Sequence, residues 1–174
     1  MTVRCRVSIL NSVPVNRRQL PPQVASEVDL FNVREYPLMD DAQLLEAFEA
    51  CTLPSEEWTH RAHVRVAYLY ATRFPYPEAL LRMRAGIKAY NKATNTPEEL
   101  ERGYHETITV AFMRLVCHAL REEGPFESSD EFCNTCARML KKGVLLDYYS
   151  KERLISLEAK HNFVEPDLQS LPEV

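Results

Sequence analysis

The stretch GYHETITVAFMRLVCHALREEGP, residues 103–125, decides how the rest of the chain is read. Between Ile108 and Leu120 it is apolar on nearly every face except at Thr109, Arg114 and His118, and Gly124-Pro125 stops it. A helix with so little polar surface belongs in the centre of a domain, and this one is expected from about Gly103 to Glu122. The stripe His105, Ile108, Phe112, Leu115 and Ala119 follows helical spacing and turns His105 inward with it.

Working outward, the apolar residues recur at i, i+3, i+4 and i+7 instead of alternating, and the chain has only four glycines. Asp40 or Asp41 can cap a first helix to about Cys51, which buries Leu44, Leu45 and Phe48. A second runs from about Thr59 to Phe74, with His60, His63, Ala67, Tyr70 and Phe74 in one stripe, so both histidines are expected to face the core. Pro77 suits the first turn of a third helix, carrying Leu80, Leu81, Met83, Ile87 and Tyr90. Ser128 or Ser129 can cap a fifth helix toward Lys142, with Gly143 as its stop, and Ser150 a short sixth from Lys151 to about Lys160. The tail from Phe163, with Pro166 and Pro172, is expected to lie extended over the bundle. The fold class is therefore all-α: a single compact bundle of about five or six helices around the apolar fourth.

The helical domain is expected over residues 37–174. Within residues 1–36, the first 26 hold Arg4, Arg6, Arg17 and Arg18 with no acidic residue before Glu27, a bias shared by organelle transit peptides. Pro14, Pro21 and Pro22 break an amphipathic helix, so a flexible basic arm is the leading reading and import the minority one. With 174 residues, 45% hydrophobic and 26% charged, the chain has the usual globular mix. A net charge of −4 leaves no global positive excess for a phosphate backbone, so nucleic acid is not an expected partner. No run approaches the ~20 apolar residues of a membrane span, so no membrane partner is expected either. Five cysteines, at 5, 51, 117, 133 and 136, with no secretory pattern favour reduced thiols and a cytoplasmic location. Oligomeric state is left open.

The residues that could carry chemistry are His60-x-x-His63 at the start of the second helix and His105-Glu106 at the start of the fourth. Histidines at i and i+3 share a helix face, and a third ligand from a facing helix is how bundles build metal sites. His60, His63 and His105 are thus the candidate ligands of a divalent transition metal, zinc or iron, with Glu106 as a fourth ligand or as general base and His105 also a candidate catalytic group. The positive end of the helix dipole favours the Glu106 carboxylate and disfavours protonated His105. The plain alternative is that Thr59 is an N-cap, the histidines are hydrogen-bonded core residues and Glu106 only stabilises its helix.

Other residues weigh less. Cys133-x-x-Cys136 has the spacing of half a zinc site or of a redox pair, but no second pair completes it, and two small residues on an ordinary helix is the better reading. Tyr148 and Tyr149 beside Asp147 could line a pocket, as could Tyr104, although a structural role is favoured for the Asp147–Ser150 stretch. Arg61, Arg65, Arg73, Arg82 and Arg84 could hold an anionic substrate, but a solvated helix face is the commoner meaning.

The segments Glu57-Trp58-Thr59-His60-Arg61-Ala62-His63-Val64-Arg65, Gly103-Tyr104-His105-Glu106-Thr107-Ile108-Thr109, Tyr148-Tyr149-Ser150 and Phe163-Val164-Glu165-Pro166-Asp167-Leu168 resemble a family of small, mostly bacterial, hypothetical α-helical proteins. That family carries a Thr-His-x-x-His segment, a Tyr-His-Glu-Thr segment and a closing Pro-Asp-Leu. The likeness spans roughly residues 40–172, implies one compact domain and assigns neither substrate nor metal. The expectation from the residues is a metal-dependent small-molecule enzyme, hydrolase or lyase before oxygenase, with Tyr104, Tyr148 or Tyr149 orienting substrate. The rival is a non-catalytic helical module that binds protein or ligand and uses the histidines structurally.

Overall fold

Asp40 and Gln43 form a capping box, each side chain bonding the other's backbone N–H, and α1 (Asp41–Glu49) starts from it. The computed structural model describes residues 39–141 and 143–174. The expected basic arm over 1–36 lies outside these described residues. Thr59, Ser128 and Ser150 cap α2 (His60–Arg73), α5 (Ser129–Thr135) and α6 (Lys151–Leu154), each accepting a backbone N–H three residues on. Pro77 sits in the first turn of α3 (Tyr76–Ala93). The described residues form seven α-helices and two 3₁₀ turns, Ala137–Leu140 and Val144–Asp147, joined by loops, with no strand among them. None of these helices is long and apolar enough to cross a membrane.

Three boundaries differ from the sequence expectation. α4 (Glu106–Glu123) begins at Glu106, because His105 leaves the helix as its N-cap and accepts the Ile108 N–H on Nδ1. The fifth helix ends at Thr135 and tightens into the first 3₁₀ turn, so it does not run to Lys142. The sixth splits, since Ser156 caps a new short helix, α7 (Leu157–His161).

The core is shared between two helices. α4 buries Thr107, Val110, Met113, Val116 and Ala119, and packs on α2, α3, α7 and the second 3₁₀ turn. α2 is at least as central: every residue from Val64 to Tyr70 is buried, and it packs on α1, α3, α4, α5 and the first 3₁₀ turn. Helical turns bury on all sides when neighbours close every face.

Arg65 is one of those buried residues, 5% exposed, which corrects its reading as part of a solvated face. Its Nε donates to Ser129 Oγ (2.7 Å) and its Nη2 to the Met39 carbonyl (2.7 Å) and Asp41 Oδ1 (3.0 Å). Asp41 in turn accepts the Ser129 N–H (2.9 Å) and the Ser129 hydroxyl. This network ties the start of α1 and the start of α5 to the middle of α2. Burial works to raise the Asp41 pKa, but the bonds from Ser129 and Arg65 outweigh it and hold the carboxyl below its ordinary value.

Phe48 of α1 stacks on Trp58 (centroids 4.5 Å apart) and brings the edge of its ring against α3 at Gly86. A β-carbon at Gly86 would stand 2.5 Å from the Phe48 ring, which is fully buried and has nowhere to move. Gly86→Ala gains about 1 kcal/mol of helix propensity but overpacks a closed site at about 1–3 kcal/mol. The close contact decides the sign, and urea unfolding is expected to show a net loss of about 1 kcal/mol; a stabilised variant would refute the tight α1–α3 seat.

The tail lies over the bundle as expected. Thr107 of α4 donates its hydroxyl to the Asn162 carbonyl (2.8 Å) and accepts the Val164 N–H (3.1 Å). Tyr149, fully buried, donates to the Val164 carbonyl (3.0 Å), and Asp167 accepts both the N–H and the hydroxyl of Ser150. Tyr-Tyr-Ser and the closing Pro-Asp-Leu therefore meet, and each supplies the other's hydrogen-bond partners.

Candidate functional site

Two adjoining cavities lie against the meeting of α2, α3 and α4. The inner one, about 290 Å³, is walled by Val64 and Ala67 of α2, Met83 and Ile87 of α3, and Ile108, Phe112, Met113 and Val116 of α4, with His60, His63 and Thr109 as its polar members. The outer one, about 380 Å³, is lined by the Leu100–Tyr104 turn and by His105, Leu154, Ile155 and Lys160. His63, Ile87, Ile108 and Thr109 belong to both, so they form the partition.

His63 is positioned by three contacts. Trp58 stands immediately before the Thr59 cap and stacks on the His63 ring, centroids 3.7 Å apart, as a hydrophobic residue before a cap staples to the fourth helical position. The Thr59 carbonyl accepts both the His63 backbone N–H (3.0 Å) and the His63 ring Nδ1–H (2.8 Å). A carbonyl has no proton to give, so Nδ1 carries the hydrogen and Nε2 holds a bare lone pair. Among the described residues nothing donates to that Nε2. Burial drives the pKa of the ring down, aided by His60, against the pull of the Thr59 carbonyl, to about 4. At neutral pH His63 is an uncharged imidazole with one nitrogen tied and one open.

His60 is exposed and not in the core, which corrects the inward reading of that end of the stripe: the first turn of α2 stands at the cavity rim. Its Nε2–H donates to the Met139 carbonyl (2.8 Å) and its ring meets the edge of Phe112, leaving Nδ1 as an acceptor. His105 is half-buried and has both nitrogens engaged: Nδ1 accepts from Ile108, and Nε2–H donates to the Leu154 carbonyl (3.1 Å). Burial lowers its pKa, opposed by the Leu154 bond and helped by Lys160. His60 lines the inner cavity, His105 the outer, and only His63 faces both. Among the described residues no group of three or more His, Cys, Asp or Glu side chains is placed to hold one metal ion.

Glu106 lines neither cavity. Its carboxylate accepts from the Tyr104 hydroxyl (2.5 Å) and is paired to Arg84. Burial favours its protonated form, but the bonds from Tyr104 and Arg84 prevail and its pKa lies below the ordinary value. Tyr104 is buried against the outer cavity with its hydroxyl spent on Glu106 and its ring under the Lys88 ammonium. Tyr149 is a core residue, and Tyr148 lines a separate cavity with Leu115, Arg138 and Val144, so neither stands with the histidines.

The turn over the outer cavity is itself strapped. Buried Lys160 donates to the Arg102 (2.8 Å) and Tyr104 (2.7 Å) carbonyls, while Glu98 accepts the Tyr104 N–H. Gly103 sits at φ +84°, and a β-carbon there would run into the Glu98 carboxylate. The arginines serve protein carboxylates: Arg61 pairs with Asp130 (2.8 Å), Arg65 with Asp41, Arg84 with Glu106. Cys133 and Cys136 are buried, their thiols pushed up by burial to about 11, which leaves them protonated and unreactive.

Sequence reasoning missed Trp58, Met83, Ile87 and Phe112 as site residues. Trp58 had a usable signal, its place just before a capping threonine. The other three read as core, and nothing local separates an apolar residue facing a neighbour from one facing a cavity. No family model, curated protein or solved structure matches the chain.

Proposed function

We propose that this protein binds a small, largely apolar molecule in the inner cavity, with His63 as its principal polar contact. The observation that carries the reading is the His63 ring: neutral, stapled by Trp58, tied through Nδ1, and open at Nε2 in a mainly apolar wall whose other polar members are His60 and Thr109. Ligand pockets have this make-up, a hydrophobic lining with few placed polar groups. A ring with a pKa of about 4 takes protons poorly at neutral pH, so hydrogen-bond acceptance is better supported than general-base catalysis. The test is the indole N–H resonance of Trp58, the single tryptophan, during titration with benzene. A saturable shift that Ala67→Leu abolishes by filling the cavity is expected; a shift unaffected by that substitution would place binding elsewhere.

A second reading keeps a metal-dependent hydrolase or lyase. His60 and His63 line the inner cavity and each donates one ring N–H to a backbone carbonyl, the outer support that orients metal-ligating histidines. Zinc or ferrous iron held by His60 Nδ1 and His63 Nε2 would supply Lewis acidity and an activated water. His105 and Glu106 are then positioning residues, their polar atoms already spent. Elemental analysis of tag-free protein discriminates: stoichiometric metal lost in His63→Ala supports this reading, and wild-type protein that neither carries nor takes up zinc or iron rejects it.

A further inference from the structure

The polar groups of the inner cavity share one property. His60 gives its Nε2–H to the Met139 carbonyl, His63 its Nδ1–H to the Thr59 carbonyl, and Thr109 its hydroxyl hydrogen to the His105 carbonyl (2.8 Å). Each side-chain proton these groups carry is committed to the main chain, so what they can offer a ligand is lone pairs. Among the described residues the cavity wall has no lysine or arginine. From this we infer that the inner cavity selects a ligand that donates hydrogen bonds from an apolar body, a phenol, an alcohol or an indole-type N–H, and discriminates against carboxylates and phosphates.

The inference rests on the reading of the cavity as a small-molecule site and adds the ligand class. The discrimination is steep for a physical reason. A donor that meets His63 Nε2 replaces its lost water contact, whereas a carboxylate brought against the same lone pairs is buried with no donor and no counter-charge. A site built to one hydrogen-bonding sense rejects the wrong sense more strongly than it rejects a missing methyl group. The opposing influence is the start of α2 at His60, whose first-turn N–H groups favour an anion at the rim.

Three ligands of one shape separate these effects: p-cresol, toluene and p-toluate, titrated into the full chain and followed by the Trp58 indole resonance. The expected order is p-cresol about tenfold tighter than toluene, with p-toluate weaker than both. In His63→Phe, which keeps a ring for Trp58 to stack on, p-cresol should fall to the affinity of toluene while toluene holds its own. Thr109→Val, which alters a second acceptor without touching the stack, should weaken p-cresol by a smaller factor. Equal binding of p-cresol and toluene to wild type would overturn the inference and leave the cavity reading standing. Tightest binding of p-toluate would overturn it too, and show that the start of α2 dominates. No shift with any of the three would overturn the cavity reading itself.

Discussion

Arg65→Met should cost about 3 kcal/mol of stability, read by urea unfolding at pH 7. The substitution keeps most of the aliphatic stem and removes the guanidinium that serves Ser129, the Met39 carbonyl and Asp41 from a position 5% exposed. Asp41 would then keep only Ser129 as a partner, and a half-buried carboxylate deprived of its cation is a costly group. Arg61→Met is the control. Arg61 pairs with Asp130 on the same side of α2, but both side chains are about one-third exposed (32% and 31%), and its removal should cost under about 1 kcal/mol. Equal losses would mean that burial of Arg65 does not govern its worth. The depressed Asp41 pKa adds a pH signature: this contribution is present at neutral pH and is lost only as the carboxyl protonates below its ordinary value of 3.8.

The second large effect is acid destabilisation through His63. The unfolded chain takes a proton on this ring near the ordinary value of 6.5, while the folded chain resists until about pH 4. Between those values the unfolded state binds more protons, so stability falls as the pH is lowered from about 6.5 to about 4 and then levels. The gap corresponds to at most about 3 kcal/mol, and about 2 kcal/mol once partial exposure of the ring is allowed for. Half-buried His105, with its lowered pKa, pulls in the same direction, so the test is a difference: stability profiles of wild type and His63→Phe over this range. The variant should lose about 2 kcal/mol less than wild type on acidification; parallel profiles would show that His63 is not held neutral by its surroundings. The same experiment bears on the proposed function, since a ring that charges near its ordinary value would offer a ligand a donor and not a lone pair.

Glu106 shows how a residue can be chemically suggestive in sequence and committed in the fold. Its place in the first turn of α4 was legible, and so was the benefit of a carboxylate there. The partner was not: Arg84 is 22 residues away on another helix. A carboxylate that already accepts from Tyr104 and Arg84 has little left for substrate or metal. Tyr149 is the same case, its hydroxyl taken by the Val164 carbonyl 15 residues on.

The all-α class, the caps at Thr59 and Ser150, the choice of cap narrowed to Asp40 or Asp41 and to Ser128 or Ser129, the buried run of α4 and the tail laid over the bundle could be read from the chain alone, whereas the five or six helices expected became seven and two 3₁₀ turns among the described residues. These depend on spacings of three and four residues and on side chains that reach their own backbone, so the information is local. The pairing of Arg65 with Asp41, of Asp41 with Ser129 across 88 residues, and of His105 with Leu154 belongs to the tertiary structure. So does the property on which the proposed function turns. The sequence determined that His60, His63 and His105 stand at the starts of two helices; which of their nitrogens stay open was decided by carbonyls, most of them from distant segments, that claim the others. A hydrogen bond is a directional contact between two particular atoms, and for groups far apart in the chain only packing brings those atoms within reach.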